Sequence, residues 1–259
     1  MTAVSRPLAV RQGLVVLYVT AWSREREVSR ADLLLDAGGL RYRTEHTEDR
    51  DQRGGLWERW RGGYGDGDPL WRAVNSERQR IAMEHLRCQV CGGRASHTGK
   101  GVLFLEGGRM TAAAARLEEG TVAQPPLCLP CAPVARRQCP HLRRHCIALR
   151  AKKYPVWGVL GAVYAARHPR GPRPTDQLVL EHEVPVAYGT SALRYVLASQ
   201  LLRELRRVTV VDLDAELRAA GLHATATGRP GPGSRPGAQP DAVSAPPSSA
   251  GPAGGRLSG

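Results

Sequence analysis

The sequence predicts a mixed α+β protein, and three observations carry that prediction. Short apolar or alternating runs of strand character recur along the chain, two segments place apolar residues at helical spacing, and two Cys-x-x-Cys pairs bracket a stretch able to form a hairpin. Of the 259 residues, those over 223–259 mix Gly, Pro, Ala and Ser with almost no large apolar side chains. Burial there cannot offset the entropy of ordering, so a disordered C-terminal tail is expected. The remainder divides into an N-terminal α+β segment over 1–85, a cysteine-bearing module over 86–147 and a C-terminal α+β segment over 148–222.

Leu8 to Trp22 reads as a strand with Val15, Leu17 and Val19 on one face. Leu33 to Leu35 and Leu40 to Arg43 flank Asp36-Ala37-Gly38-Gly39, which has hairpin-turn chemistry. Leu56 to Trp60 is expected to be a short strand inside a charged, Gly-rich loop region. Ser76 and Gln79 have the form of a capping box, and Ile81, Ala82, His85 and Leu86 follow at helical spacing, giving a helix over 76–87. Val102 to Leu105 reads as a strand and Thr111 to Glu119 as a helix by its Ala content. Strands are expected at Ile147 to Lys152, Val156 to Tyr164, Leu178 to Glu183 and Val208 to Val211. Between the last two, Thr190 is positioned to cap a helix from Ser191 to Arg207, whose apolar stripe runs through Leu193, Val196, Leu197, Leu201 and Leu205 and is interrupted by Gln200. Asp212 caps a closing helix that Gly221 ends.

No run approaches the roughly 18 to 20 apolar residues of a membrane helix, and no cleavage pattern follows the short apolar segment near Arg6 and Arg11. A cytoplasmic protein without a membrane partner or a small-molecule cofactor is expected. All six cysteines fall between Cys88 and Cys146, a clustering that favours metal over a disulfide framework.

Cys88-Gln89-Val90-Cys91-Gly92-Gly93 and Cys128-Leu129-Pro130-Cys131 have the spacing that lets backbone wrap a tetrahedral ion. The glycines after Cys91 permit a tight turn that aims N–H groups at sulfur. Pro133 suits the start of a helix that Val134 to Gln138 continue. A knuckle, a hairpin and a helix opening at the second pair resemble a treble-clef zinc finger, so structural Zn²⁺ on Cys88, Cys91, Cys128 and Cys131 is expected, with the finger packed against strand-and-helix segments. Cys139, His141, His145 and Cys146 offer a second ligand set or an exchange ligand. Pro140 works against their convergence, and the alternative is two small core cysteines with histidines near the surface.

The formal charge of +13 is uneven: no acidic residue lies between Glu119 and Asp176. Arg136, Arg137, Arg143, Arg144, Arg150, Lys152 and Lys153 fall in that interval and suit an anionic partner, DNA or RNA before others. The alternative is Arg filling ordinary surface positions.

Catalytic signals are weaker. Paired Cys-x-x-Cys motifs also frame HNH-type nucleases, but Val102 to Gly108 contains no histidine, the sole asparagine is Asn75, Ala132 follows Cys131, and His97 has no paired ligand. Gly93 to Gly101 fails the phosphate-loop pattern, since Gly101 stands where Ser or Thr must reach magnesium. In Glu181-His182-Glu183, strand alternation sends His182 to the face opposite both carboxylates. His46 with Glu45, Glu48, Asp49 and Asp51 reads as a solvated acidic run. Trp57, Arg59, Trp60, Arg61 and Tyr64 interleave rings with guanidinium groups, a pattern of base-stacking surfaces but more often of packing.

With Cys-Gln-Val-Cys-Gly-Gly, Pro-Pro-Leu-Cys-Leu-Pro-Cys-Ala, Cys-Pro-His-Leu-Arg and a Tyr-Gly before the amphipathic segment, the chain resembles an uncharacterised family of Arg-rich actinobacterial proteins over most of residues 6 to 222. The resemblance implies no activity and nothing about the tail. The expectation is a zinc-stabilised binding protein associated with nucleic acid. A protein-interaction scaffold using the finger and the Ser191 to Arg207 helix is the alternative, and a diverged nuclease stands behind both.

Overall fold

The computed structural model describes residues 8–107, 120–166 and 177–222, which belong to one compact unit, Met1–Ala224. The helix expected at Thr111 to Glu119 and the tail over 223–259 lie outside the described residues.

Before residue 76 the chain is a series of short strand pairs. The single strand expected from Leu8 to Trp22 is broken into a hairpin, Val10–Arg11 with Leu14–Val15, and a separate strand Thr20–Trp22. Gln12 and Gly13 at the hairpin tip both have positive φ, 51° and 74°, the geometry of a two-residue type I′ turn. The hairpin expected around Asp36 to Gly39 is present as Leu33–Asp36 with Gly39–Tyr42, and Asp36 Oδ1 accepts from Gly38 N at 2.8 Å. The strand expected at Leu56 to Trp60 is two short pieces, Leu56–Trp57 (β1) and Trp60–Arg61.

Helix α1, Ser76–Glu84, is capped differently from expectation. Asn75 Oδ1 accepts from Arg78 N at 3.0 Å, so the cap lies one residue earlier than a Ser76 capping box would place it. Gln79 is thereby free for a longer-range task. Its side chain donates to Ala123 O and Leu201 O, at 2.8 and 3.0 Å, and accepts from Leu201 N at 2.8 Å.

Two antiparallel sheets follow. The first contains His97–Thr98 (β2), Gly101–Gly107 (β3), Cys146–Lys153 (β5) and Arg206–Val211 (β9), in the order β2-β3-β5-β9. The second contains Thr121–Val122 (β4), Val156–Ala166 (β6), Gln177–Ala187 (β7) and Val196–Glu204 (β8), in the order β4-β8-β6-β7, and β1 pairs with β8 in parallel. Strand β5 contains the expected boundary at 147/148, so module and C-terminal segment share one sheet.

The helix expected from Ser191 to Arg207 does not form. A 3-10 turn, Ser191–Tyr195, leads into β8, which lies against β4, β6 and β1. Val196, Leu197, Ala198, Leu201 and Leu202 are all buried, because a central strand covered on both faces needs apolar residues at successive positions. Helical spacing was satisfied by coincidence.

The first sheet is likewise covered on both sides. Val102 and Phe104 of β3 join Ile147, Leu149, Val159 and Leu201 in the core between the sheets. Leu103 and Leu105 face the opposite way, into a core with Leu127, Ala132, Leu213, Leu217 and the buried Cys88. The closing helix, Leu213–Ala219, is capped by Asp212 Oδ1, which accepts from Asp214 N and Ala215 N.

Candidate metal centre

The first cysteine pair forms a closed knuckle. Cys88 N donates to Gly93 O at 2.7 Å and Gly92 N to Cys88 O at 2.8 Å, which folds the loop back on itself. Two N–H groups then face sulfur, Val90 N to Cys88 Sγ and Gly93 N to Cys91 Sγ, each at 3.4 Å. Gly92 adopts φ +70°, and a Cβ there would stand 3.0 Å from the Tyr18 ring, so conformation and space both select glycine.

The second pair is brought to the first by backbone pairing. Ser96 N donates to Leu127 O and Leu127 N to Leu103 O, at 2.8 and 3.0 Å, while Gln89 N donates to Pro126 O at 3.0 Å. Cys128 ends this strip, a 3-10 turn spans Leu129–Cys131, and helix α2 (Ala132–Gln138) opens directly after Cys131 with Pro133 in its first turn.

The four thiols converge: one ligand atom from each of Cys88, Cys91, Cys128 and Cys131 lies within 4.8 Å of all the others. Cys91 Sγ and Cys128 Sγ are 3.8 Å apart. A tetrahedron of sulfurs about 2.3 Å from a central ion has edges of about 3.8 Å, so the spacing fits a bound metal ion. Cys88 and Cys131 are buried and the other two half-buried. Crowding divides the protons: Cys88 and Cys91 are held below the usual thiol range by S–H groups of Cys128 and Cys131. Cys131 is pushed up by Cys128, Cys88 and Cys91, and at Cys128 the raising effects of Cys88 and Cys91 outweigh the lowering effect of Cys131. Four thiolates this close repel one another, and a metal ion held by Cys88, Cys91, Cys128 and Cys131 would remove that conflict by displacing the remaining protons.

The second expected ligand set does not assemble. Among the described residues the four cysteines above are the metal-competent group, and Cys139, His141, His145 and Cys146 do not gather into another. Helix α3, Pro140–Arg144, separates Cys139 from Cys146, and both cysteines are half-buried against the core that includes Ala132 and Ala135 of α2. His141 and His145 are exposed. Partial burial pushes the Cys146 thiol up.

The basic segment is dispersed by the fold. Arg150 is 1 % exposed and cannot meet a phosphate. Its guanidinium makes a bidentate pair with Glu216, Nε to Oε1 at 2.8 Å and a terminal nitrogen to Oε2 at 2.7 Å, and also donates to Gly101 O at 2.9 Å. The expectation for Arg150 is corrected on that ground: a side chain pointing into the sheet–helix core needs a counter-charge inside the protein. Arg136 pairs with Asp214 at 2.8 Å. Arg137, Arg143, Arg144, Lys152 and Lys153 are exposed. They fall at opposite ends of β5, an eight-residue strand that spans about 23 Å. Strand register adds cations the sequence did not reveal. Lys153 lies opposite Arg206 and Val102 opposite Ala151, so Lys100 and Arg207 stand at the same sheet end as Lys152. Arg206 there pairs with Glu204 at 2.7 Å.

Other candidates resolve into structure. Trp57 is buried, its Nε1 donating to Asp51 at 2.9 Å. Arg59 forks onto Asp49 and lies 3.7 Å from the Tyr42 ring centroid, so Trp57 and Arg59 of the aromatic–arginine run are packing residues. Asp49 and Asp51 are thus engaged, and Glu45 pairs with Arg50 at 2.7 Å. His97 is exposed on β2 and belongs to no metal-ligating group among the described residues. At His182 the strand does not alternate regularly, because Glu183 has φ +56° and the pairing register shifts there.

No helix among the described residues is long and apolar enough to cross a membrane. Comparison with protein-family models, curated proteins and solved structures returns no match.

Proposed function

We propose that the chain is a zinc-stabilised binding protein that associates with nucleic acid through cations exposed at both ends of β5. The reading of the metal as zinc rests on an all-thiolate donor set at tetrahedral spacing, which suits Zn²⁺ and leaves no open position for a reactive water. Knuckle, β2–β3 hairpin and α2 opening at the second pair support the treble-clef-like description. A structural ion here would join the two cysteine pairs beneath the first sheet.

The observation that carries the partner is the charge that remains free after internal pairing. Arg137, Arg143 and Arg144 at one end of β5 and Lys152, Lys153, Lys100 and Arg207 at the other are exposed on a chain of net charge +13. A duplex, with about 3.4 Å of axis per base pair, would cover that distance in about seven base pairs. The scaffold alternative loses its helix, since Ser191 to Arg207 contributes a buried strand instead. The test is binding of the metal-loaded chain to single- and double-stranded DNA and RNA across a salt series. Steep salt dependence that weakens on charge reversal at Arg143 and Arg144 supports the reading, and binding indifferent to both defeats it.

A further inference from the structure

Three irregularities of the second sheet meet at one cleft. Between β6 and β8 the register passes from Leu160↔Gln200 to Gly161↔Ala198, which leaves Ser199 as an extra residue. Between β6 and β7 it passes from Gly161↔Val184 to Val163↔Glu181, at the place where Glu183 takes φ +56°. A non-glycine residue in that region is strained, and strain of this kind collects at ligand sites. Gly161, His182, Glu183, Ser199 and Gln200, the residues at these irregularities, all line a cavity of about 370 Å³. That volume falls within the range of small-molecule sites, about 300 to 1,000 Å³.

One polar group of the cavity lining is left without a partner. Tyr164 lines it, is 5 % exposed, and its hydroxyl is buried without a hydrogen-bond partner among the described residues. Burying a hydroxyl unpaired is unfavourable, so such a group points to a missing partner. Glu58 and Trp60 also line the cavity, and they line a second one of about 330 Å³ as well. Glu58 is pushed up to about 7 by burial, with the charge of Glu27 adding to the effect and side-chain hydrogen bonds with Ser76 and Trp60 opposing it. Arg30 and Arg72 also line the cavity and are exposed, Arg30 lying 3.9 Å from the Glu27 carboxylate. Gln200, which interrupts the otherwise apolar run of β8, also opens onto this space.

A ligand meeting these groups together needs N–H donors for Glu58, an acceptor for the Tyr164 hydroxyl, a flat surface beside Trp60 and negative charge for the two arginines. We propose that this cleft binds a single nucleotide, its base among Glu58, Tyr164 and Gln200 and its phosphate at Arg30 and Arg72. In drawing that nucleotide from a bound strand the proposal rests on the nucleic-acid reading above. An unstacked base read by hydrogen bonds along its edge and held beside an aromatic ring is a known way for proteins to engage single strands.

The test titrates the full-length, metal-loaded chain with the four nucleoside 5′-monophosphates, following tryptophan fluorescence and heat of binding. At least one should bind at one per chain. Tyr164→Phe should weaken it by about fivefold, the loss of one hydrogen bond, without lowering the melting temperature, and Glu58→Gln should change the preference among bases. A short single-stranded oligonucleotide should displace the monophosphate, and a blunt duplex should not. Absence of binding at millimolar monophosphate, indifference to both substitutions, or uptake of a hexose or free amino acid in its place overturns the proposal. A chain that binds strands through Arg143 and Arg144 yet ignores monophosphates sinks the cleft and spares the surface reading. One that binds monophosphates but no strand supports the cleft, with free nucleotide as its source, and sinks the surface reading.

Discussion

Replacing Glu216 with alanine separates the structural role of Arg150 from a nucleic-acid role. In the native protein the Arg150 guanidinium is 1 % exposed and receives its counter-charge from Glu216, whose side chain is 19 % exposed. Glu216→Ala leaves the bonds to Ser96 and Gly101 in place but strands a cation in the core. Breaking a buried ion pair from one side costs about 3 to 5 kcal/mol. Partial exposure of Glu216 and the surviving carbonyl contacts place this case at the lower end, about 3 kcal/mol. For a domain of this size that is a fall of about 6 to 12 °C in melting temperature. The assay is thermal and urea unfolding at fixed free metal, so that ligand linkage does not contaminate the comparison. Replacing both partners with apolar residues, Arg150→Met with Glu216→Leu, should recover most of the loss, since the pair's desolvation penalty disappears with it. A Glu216→Ala protein less than about 1 kcal/mol weaker than the parent, together with an Arg150→Met protein that loses oligonucleotide affinity, would refute the burial argument and return Arg150 to the binding surface.

Four further outcomes are expected. Elemental analysis of freshly purified, reduced protein should find about one zinc per chain, and Cys128→Ser should lower metal content and melting temperature together; a metal-free protein of unchanged stability would contradict the centre. Arg143→Glu with Arg144→Glu should flatten the dependence of log affinity on log salt by about two, read from a fluorescence-anisotropy salt series. Glu58, ordinarily near 4.5 and pushed up to about 7 by burial, binds more protons in the native state than in the unfolded one. Its contribution to stability is therefore fully present below about pH 4.5 and is lost as pH rises toward 7; the parent minus Glu58→Gln difference in unfolding free energy should decline across that window, and a flat difference would count against it. Gly158→Ala should destabilise by at least about 2 kcal/mol, because a Cβ there would lie 2.1 Å from Val186 O on the paired strand; chemical denaturation measures it.

Local chemistry made much of this protein legible in its sequence. The Cys-x-x-Cys spacing, the glycines of the knuckle, the Asp36 to Gly39 turn and the Asp212 cap act within a few residues, so neighbours alone specify them. Tertiary structure decided what depends on distant partners. The segment from Ser191 to Arg207 satisfies helical spacing, but β1, β4 and β6 enclose its central portion and make it a strand buried on both faces. Gln79 left its expected cap to bond Leu201, 122 positions away, and Arg150 found Glu216 at 66. Such choices belong to burial, because a polar group removed from water must take whichever partner the packed fold brings near, and linear order does not say which that will be.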